Sequence, residues 1–377
     1  MKSNPEVLIV AGELSGDAHA ARVLRALKSK IPKLTAWGFG GDDLANEGME
    51  IKEHIRDLSV MGFWEVLKRY GYFKKIFDAL REQITQRKPD LVLLVDYPGF
   101  NLRLAASLKG CGIPVVYYIC PQVWAWKKKR IPKMAELLDA VICIFPFEPN
   151  VFEGYDLPVL YGGHPMVEET ASVEADSGWT SEVKLALVPG SRLQEIDRIY
   201  LPMLETAALI KKDVPNVQIR IPAADEACEK RLRELSASRP ELPEVEITSG
   251  KMRSVVKGAD AALVTSGTAT LETALLGTPM QIVYKTSWLT YEIGKRLLQV
   301  PHIGMVNLVA EREVCREFIQ GDATPHAMSQ ALKPLLSDTQ ERRSMLTGLK
   351  EVRSLLQSDN GGTAVAEILM PYLEEDR

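Results

Sequence analysis

The sequence predicts an α/β protein of two doubly wound, Rossmann-like domains facing each other across a cleft. Three observations carry that expectation. Short apolar runs alternate with segments patterned at helical spacing, and the alternation restarts after a polar interruption near residue 170. Several of those runs are almost continuously apolar, as in strands buried on both faces of a parallel sheet. The chain has 377 residues, more than one core usually serves.

In the first half, Val7 to Ala11 ends on Gly12, and Asp17 to Lys28 places Ala21, Val23, Leu24 and Leu27 on one helical face, completing a βα unit. Leu34 to Phe39 reads as a second strand beside Gly38, Gly40 and Gly41, a cluster that could hold a phosphate although its spacing departs from the dinucleotide fingerprint. Ser59 to Arg87 is helical in pattern with a break expected at Gly71. Strands are expected at Asp90 to Val95, Pro114 to Ile119 and Ala140 to Phe145.

Residues 167–182 are acidic, rich in Ser, Thr and Ala, and without apolar period, and they read as a linker between domains at 1–166 and 183–350. Beyond the linker, strands are expected at Lys184 to Val188, Val217 to Ile221, Val245 to Thr248, Ala261 to Val264 and Gln281 to Tyr284. From Trp288 the pattern is helical nearly to the end, and the last helix, within 351–377, is expected to pack back on the first domain.

A hydrophobic fraction of 46% with 25% charged residues is that of a globular protein, and the net charge of −4 argues against a nucleic-acid partner. Five cysteines without a Cys-x-x-Cys pair fit a reducing, cytoplasmic setting. The first apolar run is too brief for a signal peptide, and no segment approaches the ~18 apolar residues of a membrane span, so a soluble or peripherally attached protein is expected.

Ligands of open parallel sheets bind beyond the carboxyl ends of the strands, which directs attention to four loops. Gly12-Glu13-Leu14-Ser15-Gly16-Asp17 could present donors to a sugar or phosphate, or simply cap a first helix. Asp96 ends a buried strand, where a general base would stand, yet Asp96-Tyr97-Pro98-Gly99 equally suits an ordinary turn. Pro189-Gly190-Ser191-Arg192 combines small residues with a guanidinium fork suited to a diphosphate, or equally to a surface arginine that caps a turn. Ser266-Gly267-Thr268 opens a helix whose free amides attract anions, and Glu272 follows one turn later, where it could accept from sugar hydroxyls; the stretch equally suits an ordinary βα turn with an exposed Glu.

A Walker phosphate loop, a nucleophile elbow, paired metal-binding histidines and an Asp-x-Asp are all missing from the sequence, so chemistry without a metal or cofactor is expected. His19 and His164 stand near these loops, and each suits a structural role as well as a chemical one. Phe63, Trp64, Lys68, Arg69, Phe73 and Lys74 interleave aromatics with bases, as do Trp124 to Arg130. Such runs suit an interfacial segment over anionic lipid, or a solvated face with its aromatics turned inward.

Taken together, these motifs resemble the lipid-A-disaccharide synthase family over nearly the whole chain. Ala11 to Asp17 is similar to the family's Ser-Gly-Glu-x-Ser-Gly-Asp, with Ala11 for the common Ser. Val60 to Leu67 is similar to Val-Met-Gly-x-x-Glu-Val-Leu, Asp96 to Asn101 to Asp-x-Pro-x-Phe-Asn, and Val123 to Trp126 to Val-Trp-Ala-Trp, with Cys120 at a position that is often Ser. Pro189 to Arg192, Ser266 to Ala269, Glu272 and Asn307-Leu308 complete the likeness.

The resemblance implies a GT-B type glycosyltransferase that joins UDP-2,3-diacylglucosamine to 2,3-diacylglucosamine 1-phosphate with inversion. The products are UDP and a β-1,6-linked disaccharide phosphate. It implies Asp96 as the base on the acceptor 6-hydroxyl, with Glu13, Ser15, Asp17 and Asn101 as further substrate contacts in the first domain. Ser191, Arg192, Ser266, Gly267, Thr268, Glu272 and Asn307 would hold the UDP donor. Freeing one ~10-carbon acyl chain from a bilayer costs roughly 8 kcal/mol, so work at the cytoplasmic face of the inner membrane, with residues 62–75 docked there, is implied as well. A homodimer stays open. The competing readings are a UDP-N-acetylglucosamine 2-epimerase and a non-catalytic nucleotide-sugar-binding protein.

Overall fold

The computed structural model describes residues 4–58, 70–126, 128–297, 300–357 and 362–374. The chain divides into two compact units, the first comprising Met1–Pro165 with Ser358–Arg377 and the second Met166–Gln357.

Among the described residues, the first unit is built on strands β1 (Glu6–Ala11), β2 (Thr35–Gly40), β3 (Glu50–His54), β4 (Leu91–Val95), β5 (Val115–Tyr118), β6 (Ala140–Cys143) and β7 (Val159–Tyr161). They form one parallel sheet in the order β3-β2-β1-β4-β5-β6-β7. The period-2 geometry of a strand sends alternate residues to opposite faces. Leu8, Val10, Val92 and Leu94 enter one apolar layer with Leu80 and Ile84 of the helix Tyr70–Arg87 and Leu104 of the helix Pro98–Leu108. Val7, Ile9, Leu91 and Leu93 enter the other with Leu24 and Leu27 of the helix Leu14–Lys30 and Leu369 and Leu373 of the helix Gly362–Glu374. Both faces are covered, which is why these strands read as unbroken apolar runs.

The second unit has β8 (Val183–Val188), β9 (Val217–Ala223), β10 (Glu246–Ser249), β11 (Ala261–Thr265), β12 (Met280–Tyr284) and β13 (Glu317–Ile319), again parallel, in the order β10-β9-β8-β11-β12-β13. Its helix Leu193–Asp213 buries Ile196, Ile199, Tyr200, Met203, Ala207 and Ile210, a stripe of helical period. In each sheet the strand order reverses once, between β1 and β4 in the first unit and between β8 and β11 in the second. Such switch points open a crevice at the carboxyl ends of the strands.

Several local expectations differ from the structure. The helix Tyr70–Arg87 begins one residue before Gly71, so the break expected around Gly71 falls at the edge of the described residues. Strands β3, β7 and β13 have no counterpart in the sequence reading, because β3 holds only one aliphatic residue and the other two span three residues each. Residues 167–182 are packed against the second unit. The helix Met166–Ala171 takes up its start, and Asp176 pairs at 2.7 Å with Arg220, whose side chain is 2% exposed. Trp179 lies beneath that guanidinium and donates its indole N–H to the Val255 carbonyl. Polar anchors replace apolar periodicity in this segment, so its sequence looks like a linker.

Candidate active site

The four loops singled out in the sequence follow β1, β4, β8 and β11, so each switch point is flanked by two of them.

In the first unit, Asp96 and Tyr97 both adopt left-handed backbone, with φ of 46° and 49°. Non-glycine residues in that region cost of order 1–3 kcal/mol each and persist only where their surroundings hold them. Here the hold is visible. The Asp96 carbonyl accepts from the Tyr117 hydroxyl and from the Asn101 amide at 2.8 Å, and the same Asn101 nitrogen reaches the carbonyls of Val10 and Val95 at 3.2 and 3.3 Å. The Tyr97 ring lies directly over Gly12, where an added Cβ would stand 2.3 Å from the ring, so only glycine permits the approach of the two loops. Burial, with the negative charge of nearby Glu13 acting in the same sense, pushes the Asp96 carboxyl up to about 6. Glu13 and Ser15 are exposed on the β1 loop.

Two expected contacts in this unit are engaged internally, Asp17 through both carboxylate oxygens and Asn101 through its amide nitrogen alone. Asp17 is 2% exposed, and its carboxylate accepts from the amides of Gly41 (2.6 Å), Asp43 (3.0 Å) and Leu44 (3.4 Å), capping the short helix Asp42–Asn46. Of that glycine cluster, Gly40 and Gly41 at the end of β2 face this chain's own carboxylate rather than a phosphate, while Gly38 lies against Ile9. Asn101 is fully buried beneath the Asp96 turn, so it positions that turn rather than facing a ligand.

In the second unit, Gly267 has φ 155° and ψ −163°, a combination open essentially to glycine alone, and it leads into the helix Thr268–Leu275 with Thr268 exposed. The amides of this helix's first turn have no intrahelical partners and carry the positive end of the helix dipole. Ser266 donates its hydroxyl to the Ile303 carbonyl at 3.2 Å. After β8, Gly190 sits at φ 110° against the Glu195 side chain, Ser191 is exposed, and Arg192 pairs with Glu195 at 2.7 Å while its side chain stays 79% exposed. A guanidinium held by one local carboxylate is free to turn to a diphosphate. Asn307 is fully buried, giving its amide hydrogens to Cys315 and Glu317 and accepting from the amides of Val314 and Cys315, so it too is a scaffold residue.

Glu272 lines a cavity of about 410 Å³ with Ala223, Ala224, Gly250, Lys251 and Arg253, at the carboxyl ends of β9 and β10. That is the size of a small-molecule site. Arg253 bonds Glu272 and was missed in the sequence, although two bases just after a strand-ending Gly250 were a usable signal. Tyr117 was missed because it sits inside an apolar strand.

Of the expected lipid-facing residues, Phe63, Trp64, Lys68 and Arg69 lie outside the described residues. Phe73 is half-buried against the first unit's core, edge-on to Tyr72, while Lys74 is exposed. Trp124 turns inward, its indole N–H donating at 3.1 Å to Glu148, a carboxyl that burial pushes up to about 7. His164 is buried against Phe145, and His19 is half-buried on the helix Leu14–Lys30.

Comparison with known proteins gives these loops a context. Residues 7–364 match the family model for lipid-A-disaccharide synthetase. The chain is 40% identical over 368 residues to the lipid-A-disaccharide synthase of Anaeromyxobacter sp. (strain K), covering 96% of both chains. It is 37% identical to that of Myxococcus xanthus (strain DK1622), covering all of both. In fold it is similar to a putative UDP-N-acetylglucosamine 2-epimerase from Listeria monocytogenes (TM-score 0.67, 13% identity, 99% and 98% covered). It is also similar to the calicheamicin glycosyltransferase CalG4 (TM-score 0.59, 15% identity, all of both chains covered). The chain belongs to the lipid-A-disaccharide synthase family, hexosyltransferases built on the GT-B fold.

Proposed function

We propose that the chain transfers 2,3-diacylglucosamine from its UDP derivative to O6 of 2,3-diacylglucosamine 1-phosphate. The observation that carries the mechanism is the Asp96 carboxyl, held in a left-handed turn at the β1/β4 switch point with its affinity for a proton raised to about 6. A base so poised is ionised at neutral pH yet accepts a proton readily. Asp96 takes the proton of the acceptor 6-hydroxyl as O6 bonds to the anomeric carbon. The bond from that carbon to the diphosphate oxygen breaks on the opposite face, its electron pair leaves with UDP, and configuration inverts.

The second unit holds the donor in this reading. The cavity beside Glu272 takes the nucleoside, with Glu272 accepting from the ribose hydroxyls. The amides around Gly267 and Thr268, with Ser266, Ser191 and Arg192, meet the diphosphate and stabilise its growing charge. Exposed Glu13 and Ser15 contact the acceptor.

The acyl chains favour work at the cytoplasmic face of the inner membrane. Among the described residues no helix is long and apolar enough to cross a membrane, and attachment through residues 62–75 is part of the same proposal. The epimerase likeness rests on 13% identity and speaks for the fold alone.

Incubation with both acylated substrates, with and without chelator, followed by mass analysis tests the reading. Disaccharide phosphate and UDP are expected in equal amounts in both arms. Absence of the disaccharide, or interconversion of UDP-N-acetylglucosamine with its 2-epimer, would refute it.

A further inference from the structure

The cavity beside Glu272 contains a charged group that the proposed reaction leaves unused. Arg253 lies in the helix Met252–Gly258, which follows β10. Its Nε and Nη2 both reach Oε1 of Glu272, at 2.8 and 2.7 Å, and Nη2 also reaches Oε2 of Glu169 at 2.8 Å. Glu169 belongs to the helix Met166–Ala171 and is 15% exposed; Glu272 is 17% exposed. One guanidinium thus spans two shielded carboxylates from separate elements.

The consequence for Glu272 is geometric. An unpartnered glutamate on a helix samples several rotamers, whereas a planar guanidinium anchored at both ends fixes the carboxylate it grips. Among the described residues no bond to Oε2 of Glu272 is seen, so the grip on Oε1 leaves the second oxygen for a ligand. The pair also lines the cavity together.

We propose that Arg253 is the positioning residue that aims Glu272 at the ribose, and that the site's preference for a nucleotide bearing both ribose hydroxyls depends on it. The inference rests on the reading that Glu272 accepts from those hydroxyls. It adds to that reading the group that makes the carboxylate selective.

Calorimetric titration of the full chain with UDP and with 2′,3′-dideoxy-UDP tests it. The parent is expected to bind UDP at least about tenfold more tightly than the dideoxy analogue. Arg253→Met should shrink that ratio to about threefold or less while the affinity for the dideoxy analogue stays near the parent's. Arg253→Gln, which keeps a donor without the charge, covers the case in which the Met variant does not fold, and should also shrink the ratio.

An unchanged ratio in a folded Arg253 variant overturns the inference, as does equal weakening of both ligands, the mark of a merely structural role. Glu272→Gln separates the two layers. If it keeps the parent's ratio, the ribose reading itself fails and the inference falls with it. If it loses the ratio while Arg253→Met keeps it, only the role of Arg253 is refuted.

Discussion

The hydroxyl of Tyr117 donates to the backbone carbonyl of Asp96, so a side chain buried in the middle of the first sheet fastens the turn that carries the proposed base. Asn101 reaches the same oxygen from the helix Pro98–Leu108. The two donors offset the cost of consecutive left-handed residues at Asp96 and Tyr97. Tyr117→Phe removes one of them without opening a cavity. Its kcat is expected to fall about tenfold, equivalent to ~1.4 kcal/mol in the barrier, with UDP affinity retained. Steady-state kinetics beside UDP calorimetry checks this; an unchanged kcat would mean that Asn101 alone holds the turn.

The Asp96 carboxyl is raised to about 6, first by burial and then by Glu13. A general base works only when ionised, so kcat should decline as pH falls through about 6 and level off above it. Glu13→Gln removes a negative charge that opposes ionisation, and the acid limb should therefore move to lower pH. Because burial remains, the limb should not reach the ordinary aspartate range. A pH–rate profile of parent and variant decides it, and a limb displaced upward would contradict the assignment.

Arg192 caps no helix through its side chain and has Glu195 as its partner among the described residues, with 79% of the side chain exposed. Arg192→Ala should leave the stability within the range of ordinary surface substitutions, about ±0.5 kcal/mol, as a thermal melt would read it. Donor KM should rise about tenfold or more, since a charge-assisted, two-pronged contact to the diphosphate is lost. Arg192→Lys should recover part of it. Equal donor KM in the alanine variant and the parent would take Arg192 out of the donor site.

The fold was largely legible because both faces of each sheet are covered. β4, Leu91–Val95, can be read from five consecutive apolar residues, and the four switch-point loops can be placed from the residues that end such strands. What could not be read were edge strands such as Glu50–His54, where one aliphatic residue carries no pattern, and anchors such as Arg220 with Asp176, which hold a segment by charge. In the candidate site, the loops could be placed at the strand ends but not the division of labour within them. Asp17, Asn101 and Asn307 look like ligand contacts in one dimension because they are polar and sit in motifs. In three dimensions their hydrogen bonds go to backbone amides and carbonyls, with Asn307 also reaching Glu317. Tyr117 and Arg253 are distant in sequence from the residues they hold, by 21 and 19 positions, and no local spacing links them to those residues.

The central claim is that Asp96 removes the proton while other residues hold UDP. Asp96→Asn keeps the size of the side chain and the backbone carbonyl gripped by Tyr117 and Asn101, but abolishes the base. Turnover of the acylated substrates by this variant, measured beside its UDP affinity, tests the claim most directly. A loss of turnover of about 100- to 10,000-fold is expected, with UDP affinity within about twofold of the parent. Turnover equal to the parent's would contradict it.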